Sequence, residues 1–131
     1  MNDFNWNFIL TIVALIISVI TPAITNRQNN KHQLKMKKIE VLYQQKFSAF
    51  QSFCSFFQEG IKDENLTAYE QFCSACHIIK MFYQDEELIG YIDQLVYLSG
   101  ERKNQNERYR IFNECLKILN KDLEDLKSLF D

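Results

Sequence analysis

The sequence predicts an all-α fold, with one N-terminal transmembrane helix followed by a small antiparallel bundle of about four helices. The first observation is the segment from Phe4 to Asn26, which has no charged side chain and an apolar centre at residues 8–20. Such a segment can cross the hydrocarbon core of a bilayer as a helix, with every backbone polar group satisfied internally. The second is the rest of the chain, which has no proline and spaces its apolar residues three and four apart, as amphipathic helices do.

The charges that flank the apolar segment predict its orientation. Only Asp3 precedes it, and the residues that follow include Arg27, Lys31, Lys35, Lys37 and Lys38. Because Lys and Arg near a spanning helix stay in the cytoplasm, we expect an outside N-terminus in the cell membrane and a single crossing. Residues 1–30 then form the membrane anchor and a polar neck, and residues 31–131 form one cytoplasmic helical domain. A cleaved signal peptide is the alternative, but its amino end should be basic rather than acidic.

The first two bundle helices follow from their apolar spacing. One is predicted from about Gln33 to Glu59, continuing almost directly from the anchor and ending at Gly60. Thr67 and Glu70 have the spacing of a capping box and predict the start of the second helix. The first apolar stripe is Met36, Ile39, Tyr43, Phe47, Phe50, Cys54, Phe57 and Ile61, widened by Phe53 and Phe56; the second is Tyr69, Phe72, Cys76, Ile79 and Tyr83.

Two more helices complete the predicted bundle. A short third helix starts at the acidic run from Asp85 to Glu87 and ends near Gly100. The apolar residues of the last helix alternate steps of three and four, nearly as a heptad repeat. Its apolar face either lies wholly in the core or is wide enough to leave part of it for self-association. The third stripe is Leu88, Ile92, Leu95 and Leu98, and the last is Tyr109, Phe112, Leu116, Leu119, Leu123, Leu126 and Phe130.

One cysteine motif suggests a cofactor. Cys73, Cys76 and His77 form the pattern C-x-x-C-H, in which two thiols can bond the haem vinyl groups and the imidazole can bind the iron. Against haem, its covalent attachment takes place outside the cytoplasm, and Cys76 lies on an apolar stripe, where cysteine acts as a small buried hydrophobe. We therefore expect no cofactor and keep these three residues as candidates.

A metal site is the second interpretation of the cysteines. Four thiolates, from Cys54, Cys73, Cys76 and Cys115, or three with His77, would satisfy a tetrahedral zinc or iron–sulfur site. The usual zinc arrangement has two tight pairs on turns, whereas Cys54 and Cys115 stand alone in helical patterns. Because the cytoplasm is reducing, the simpler expectation is four reduced thiols in the core and no metal.

Little else in the sequence points to chemistry. The sequence contains no glycine-rich phosphate loop, nucleophile elbow or H-E-x-x-H motif, so we predict a protein that is not an enzyme. The formal net charge is −2, and the charges outside the neck are nearly balanced, which argues against nucleic acid as a partner. The expected partners are the lipid bilayer and a protein, either another chain or a second copy.

The layout of the first third of the chain resembles a known group of proteins. An acidic head with Asn5-Trp6-Asn7, an isoleucine-rich segment ending near Pro22, and the stretch from Asn29 to Glu40 carry the resemblance. It is to uncharacterised small single-pass membrane proteins of low-GC Gram-positive bacteria and their mobile elements. The resemblance implies a bacterial inner membrane and a role in phage exclusion or element maintenance, and it transfers no functional residue.

Two functional hypotheses follow. The first is a membrane-tethered helical interaction module, whose domain binds a cytoplasmic partner or copies of itself. The second is a cofactor-bearing membrane protein that uses Cys73, Cys76 and His77 for electron transfer or redox sensing. An absorption spectrum and a metal assay of the purified protein distinguish the two, because both should be blank if the motif holds no cofactor.

Overall fold

The computed structural model describes residues 6–131, and within that range it confirms the all-α prediction. The elements in chain order are α1 (Trp6–Asp63), α2 (Leu66–Phe82), α3 (Glu86–Glu101) and α4 (Gln105–Lys127), and no strand occurs between residues 6 and 131. The predicted anchor and first bundle helix form the single helix α1, with Pro22 inside it. The predicted acidic head at Asp3 and the start of the apolar segment at Phe4 lie outside the described residues.

The chain divides into two compact units between Lys38 and Ile39. The described part of the first unit is helical throughout, and its side chains are exposed, apart from the partly exposed Ile9 and Met36. Its exposed side chains include Leu10, Leu15, Ile17 and Val19. Such a continuous apolar surface is uncommon on soluble proteins.

Helix α4 packs antiparallel to the α1 residues of the second unit. Tyr43 meets Phe130 edge to face at 5.3 Å between ring centroids, and Lys46 pairs with Asp122 at 2.9 Å. Farther along α1, the ring of Phe57 stacks on that of Phe112 at 3.9 Å. Because the α4 residue number falls as the α1 residue number rises, the two helices run in opposite directions.

Short connections hold α2 and α3 in the same bundle. Phe72 of α2 packs against both Phe53 and Phe57 of α1, with ring centroids 5.9 and 5.8 Å apart. Lys80 forms an ion pair with Asp93, which joins α2 to α3. The four helical segments of this unit therefore surround one core, as expected when amphipathic helices are joined by short loops.

The buried faces agree with the predicted stripes on α2 and α3 and agree in part on α1. Leu88, Ile92 and Leu95 are fully buried as predicted. On α1 the predicted Phe53 and Phe57 are buried, but so is Ala49, which was not predicted, while the predicted Phe50 and Cys54 are only partly buried. Phenylalanines lie on most sides of this segment, so apolar spacing alone did not fix which side faces the core. The α4 residues buried in the core are Arg108, Ile111, Phe112, Cys115, Leu119 and Leu123.

Helix ends are set by side-chain caps that the sequence only partly predicts. Asn65 caps α2, since its Oδ1 accepts a hydrogen bond from the Ala68 N–H at 2.7 Å, so the expected start at Thr67 was wrong by two residues. Asn caps a helix at least as well as Thr, because its side-chain oxygen reaches the same free N–H groups. Asp85 caps α3 by accepting from the Leu88 N–H at 2.9 Å.

The glycines do not end the helices. Gly60 and Gly100 lie inside α1 and α3, which end at Asp63 and Glu101. None of the glycines among residues 6–131 has a positive φ; the left-handed positions belong to Glu64, Arg102 and Asn104, at φ 26°, 53° and 54°. The predicted end of α1 at Gly60 was therefore three residues early, and the predicted end of α3 near Gly100 agrees with the structure to within one residue.

Two helical glycines give a matched test of local packing. A Cβ at Gly90 would meet nothing within 4 Å, whereas a Cβ at Gly100 would lie 2.9 Å from the Tyr69 hydroxyl oxygen. Gly90→Ala is expected to raise the free energy of unfolding by about 0.5–1 kcal/mol through reduced backbone entropy of the unfolded chain. Gly100→Ala should raise the free energy of unfolding less than Gly90→Ala does, or lower it, because the new Cβ would crowd Tyr69. Denaturant unfolding of both variants measures the difference. Equal gains would contradict the close approach of Tyr69.

Candidate functional site

The C-x-x-C-H residues differ in burial on α2. Cys76 is buried in the core, Cys73 is partly buried, and His77 is exposed. This follows from helix geometry, because neighbouring residues such as Cys76 and His77 are about 100° apart around the axis. A haem bonded at both cysteines would have to enter the packed core at Cys76, so the residues as folded do not fit covalent haem.

The four cysteines are free thiols distributed over three helices. Cys54 is on α1, Cys73 and Cys76 are on α2, and Cys115 is on α4. Within residues 6–131, no group of three or more His, Cys, Asp and Glu side chains has an arrangement that could hold a metal ion. The structure thus does not bring Cys54, Cys73, Cys76, Cys115 and His77 together as one candidate ligand set.

Burial determines the chemistry of these thiols. It raises the pKa of Cys115 to about 12, and burial, with the nearby Cys73 and Cys115 thiols, raises the pKa of Cys76 further. Burial also raises the pKa of Cys54. Since the thiolate is the nucleophile and the metal ligand, raised pKa values make these thiols poor at both.

No family model, curated protein or solved structure matches the chain. The candidate sites therefore rest on the geometry of the described residues alone.

A half-buried charged cluster joins α1, α2 and α4. Lys46 Nζ lies 2.9 Å from Asp122 Oδ2 and 4.2 Å from the centre of the Tyr83 ring. Burial, together with the negative charge of Asp122, raises the pKa of Tyr83. The cluster links α1, α4 and the end of α2 through one cation.

The more distinctive site is a cleft at the end of the bundle where α1 and α3 finish and α2 and α4 begin. We call it the Arg108 cleft; its cavity volume is about 20 Å³, which is room for about one water molecule. Phe57, Tyr69 and Phe72 form its apolar lining. Arg108, Arg102 and Glu64 supply its charges.

Arg108 is the buried charged residue of this cleft. Its side chain is nearly inaccessible, with 4% of the residue exposed, and Nε has no hydrogen-bond partner among residues 6–131. Its ion-pair partner is Glu64, with Nη2 and Oε1 3.6 Å apart, which is beyond hydrogen-bond range. The sequence prediction missed this residue because an arginine beside an apolar stripe is ordinarily solvated.

Proposed function

We propose that the protein is a membrane-tethered helical interaction module, with α1 crossing the cell membrane once and the C-terminal domain in the cytoplasm. The observation that carries the proposal is the apolar window of α1. It is long and apolar enough to cross a membrane, and none of it is buried in the protein. An apolar helix of this length that finds no protein core is stabilised by hydrocarbon instead.

The charges beside that window support the proposed orientation. Arg27, Lys31, Lys35, Lys37 and Lys38 are all exposed, so each is free to remain hydrated on the cytoplasmic side. They would also rest near anionic headgroups, which attract each cation by about 1 kcal/mol. Residues 1–30 would then serve as anchor and neck, and residues 31–131 as the cytoplasmic domain.

The interaction part of the proposal rests on the surface of the domain. Leu119 and Leu123 are buried in the core, so the α4 stripe is largely used in folding. Apolar side chains are exposed instead on α2, where Ile78 and Met81 are 43% and 74% exposed. Exposed Met is common where proteins bind one another, because its flexible thioether adapts to a partner. We expect a protein partner, either another chain or a second copy.

The proposed process follows the resemblance of the first third of the chain. We extend the proposal to phage exclusion or maintenance of a mobile element in a bacterial membrane. The alternative, a haem or metal redox protein, has no support from the burial of Cys76 in the core.

Membrane topology tests the tether. A fluorescent reporter fused after Asp131 should be active, and a phosphatase that works only outside the cytoplasm should be inactive, because the basic flank retains the domain inside. Replacing the five basic residues between Arg27 and Lys38 by Gln should give mixed orientation. As a matched control, the same change far from the span should leave orientation unaltered, using Lys103, Arg110, Lys117, Lys121 and Lys127. Phosphatase activity of the unaltered chain would contradict the proposal.

Crosslinking in intact membranes tests the interaction. A crosslinked species is expected with the unaltered chain, and Ile78→Glu/Met81→Glu should abolish it while the domain stays folded, since two carboxylates cannot be buried in an apolar contact. Leu129→Glu is the matched control. Leu129 is also an exposed apolar residue, at 60%, but it follows α4 and is not part of α2. The absence of any crosslinked species, or equal loss in the control, would contradict an interaction through α2.

A further inference from the structure

A second cavity lies between the α2–α3 connection and the C-terminal half of α4. Its volume is about 370 Å³, so it has room for a small molecule, unlike the Arg108 cleft. It lies wholly within the second compact unit. We call it the acidic cavity, and its lining residues are Tyr83, Asp85, Glu87, Ile118, Lys121, Asp122 and Asp125.

The carboxylates of the acidic cavity outnumber its cations. Lys46 pairs with Asp122 at 2.9 Å, which leaves the other three carboxylates of the lining against the one ammonium of Lys121. These three carboxylates and Lys121 are all exposed, so a ligand can reach them from solvent. A cavity lined by a surplus of one charge concentrates ions of the opposite charge. The lining therefore favours a cation.

The wall of the cavity also holds a buried hydroxyl that lacks a partner. Tyr83 is 5% exposed, and its Oη forms no hydrogen bond among residues 6–131. Burial and the nearby charge of Asp122 raise the pKa of Tyr83, yet Oδ2 of that carboxylate accepts a hydrogen bond from Lys46. A buried polar group without a partner is costly. A water molecule could complete the hydroxyl, but it would not offset the surplus negative charge.

The spread of the charges favours an organic cation over a metal ion. Within residues 6–131, no three His, Cys, Asp and Glu side chains are placed to hold a metal ion together. Separated carboxylates suit a ligand whose positive charges are also separated, because each ammonium can then lie near a carboxylate of its own. Ile118 is partly buried in the same lining and offers an apolar contact for methylene groups.

We propose that the acidic cavity binds a linear diamine, with one ammonium between Asp122 and the Tyr83 hydroxyl and the other beside Glu87 and Asp125. The Tyr83 oxygen accepts a hydrogen bond from the first ammonium, and its O–H can still donate to the free oxygen of Asp122. The second ammonium supplies the positive charge that the lining lacks. This site is separate from the proposed membrane tether and does not depend on it.

Putrescine is the probe for the test. Full-length protein in nanodiscs of zwitterionic phosphatidylcholine, which offers no net negative charge to an amine, is titrated with putrescine by calorimetry. Empty nanodiscs are the blank. Saturable binding of putrescine is expected, with no binding of butanediol, which has the same chain without charge. Butylamine should bind several-fold more weakly, because it carries one ammonium and leaves the second position empty.

Neighbouring residues provide matched variants for the carboxylates. Glu87→Gln and Asp125→Asn should each weaken putrescine binding about 2- to 5-fold, as expected for solvent-exposed ion pairs. Glu86→Gln and Glu124→Gln remove the same charge one residue away, at exposed positions outside the lining, and should leave the affinity unchanged. All four changes are at the surface, so the domain should stay folded.

Two more variants test the remaining groups. Tyr83→Phe should weaken putrescine binding about 2- to 10-fold, the loss of one hydrogen bond, while the free energy of unfolding does not fall, since the hydroxyl has no partner in the free protein. Lys121→Gln should strengthen binding several-fold because it removes the opposing ammonium.

Several results would overturn the proposal. They are the absence of saturable putrescine binding, equal binding of butylamine or butanediol, and losses in Glu86→Gln and Glu124→Gln equal to those in Glu87→Gln and Asp125→Asn. Tighter binding of Mg²⁺ than of putrescine would overturn the ligand class. If Tyr83→Phe does not fold, the carboxylate variants and their controls still decide between binding and no binding.

Discussion

Replacement of Phe57 by alanine is expected to lower the free energy of unfolding by about 3–5 kcal/mol, the usual loss for a fully buried phenylalanine. Phe57 is 2% exposed and packs against the rings of Phe72, Tyr109 and Phe112 at 5.8, 5.6 and 3.9 Å between centroids. The change therefore removes contacts among α1, α2 and α4 at once. The loss is a large part of the roughly 5–15 kcal/mol that stabilises typical domains, so the denaturant midpoint should fall well below that of the unaltered chain.

Guanidinium unfolding of the full chain, followed by circular dichroism, measures this loss. The control is Tyr97→Ala, which removes an aromatic side chain that is 65% exposed on α3 and should change the unfolding free energy by less than about 0.5 kcal/mol. A loss below about 1 kcal/mol for Phe57→Ala would mean that the ring cluster is not the centre of the core.

The second large effect is expected at alkaline pH. Burial holds the pKa of Cys115 at about 12 and raises that of Cys76, whereas an unfolded thiol ionises near its ordinary value of 9.0. Below pH 9 both states keep these protons, and stability does not change on their account. As the pH rises from 9 toward 12, only the unfolded state loses them, so each thiol lowers the free energy of unfolding by about 1.4 kcal/mol per pH unit.

The measurement compares unfolding at pH 8 and at pH 10.5 in the unaltered chain and in Cys76→Ala/Cys115→Ala. Tyrosines and lysines titrate in both proteins, so the difference between the two pH dependences isolates the thiols. The unaltered chain should lose several kcal/mol more than the double variant over this range. Parallel pH dependences would show that the two thiols are accessible to water in the folded domain.

The helical architecture was predictable because most of its signals are local. On α3 the step of three and four from Leu88 to Leu95 defines one buried face, and the structure confirms it. The faces were predicted less well on α1, where Ala49 is buried and the predicted Phe50 is only half buried. A small residue gives no apolar signal in a sequence, yet in an antiparallel pair it is the position that lets two helices approach closely.

The Arg108 cleft could not be predicted in the same way. Its lining comes from the ends of α1 and α3 and the starts of α2 and α4, so residues far apart in sequence meet only after the bundle closes. Arginine is usually found at exposed helix positions, and Arg108 is buried because Phe57 and Tyr69 lie beside it in the folded bundle. The cysteine motif shows the opposite case, in which a clear local pattern has Cys76 buried in the core and His77 exposed.

The pairing of α1 with α4 has a consequence for synthesis. Lys46 and Asp122, which form one of its contacts, are separated by 76 residues. The ribosome therefore releases Phe53 and Phe57 well before it makes Phe112, which covers them. During that interval the aromatic face of the newly made chain is uncovered, and long-range closure of this kind is slow compared with helix formation. The nascent domain is consequently a substrate for chaperones until its last helix emerges.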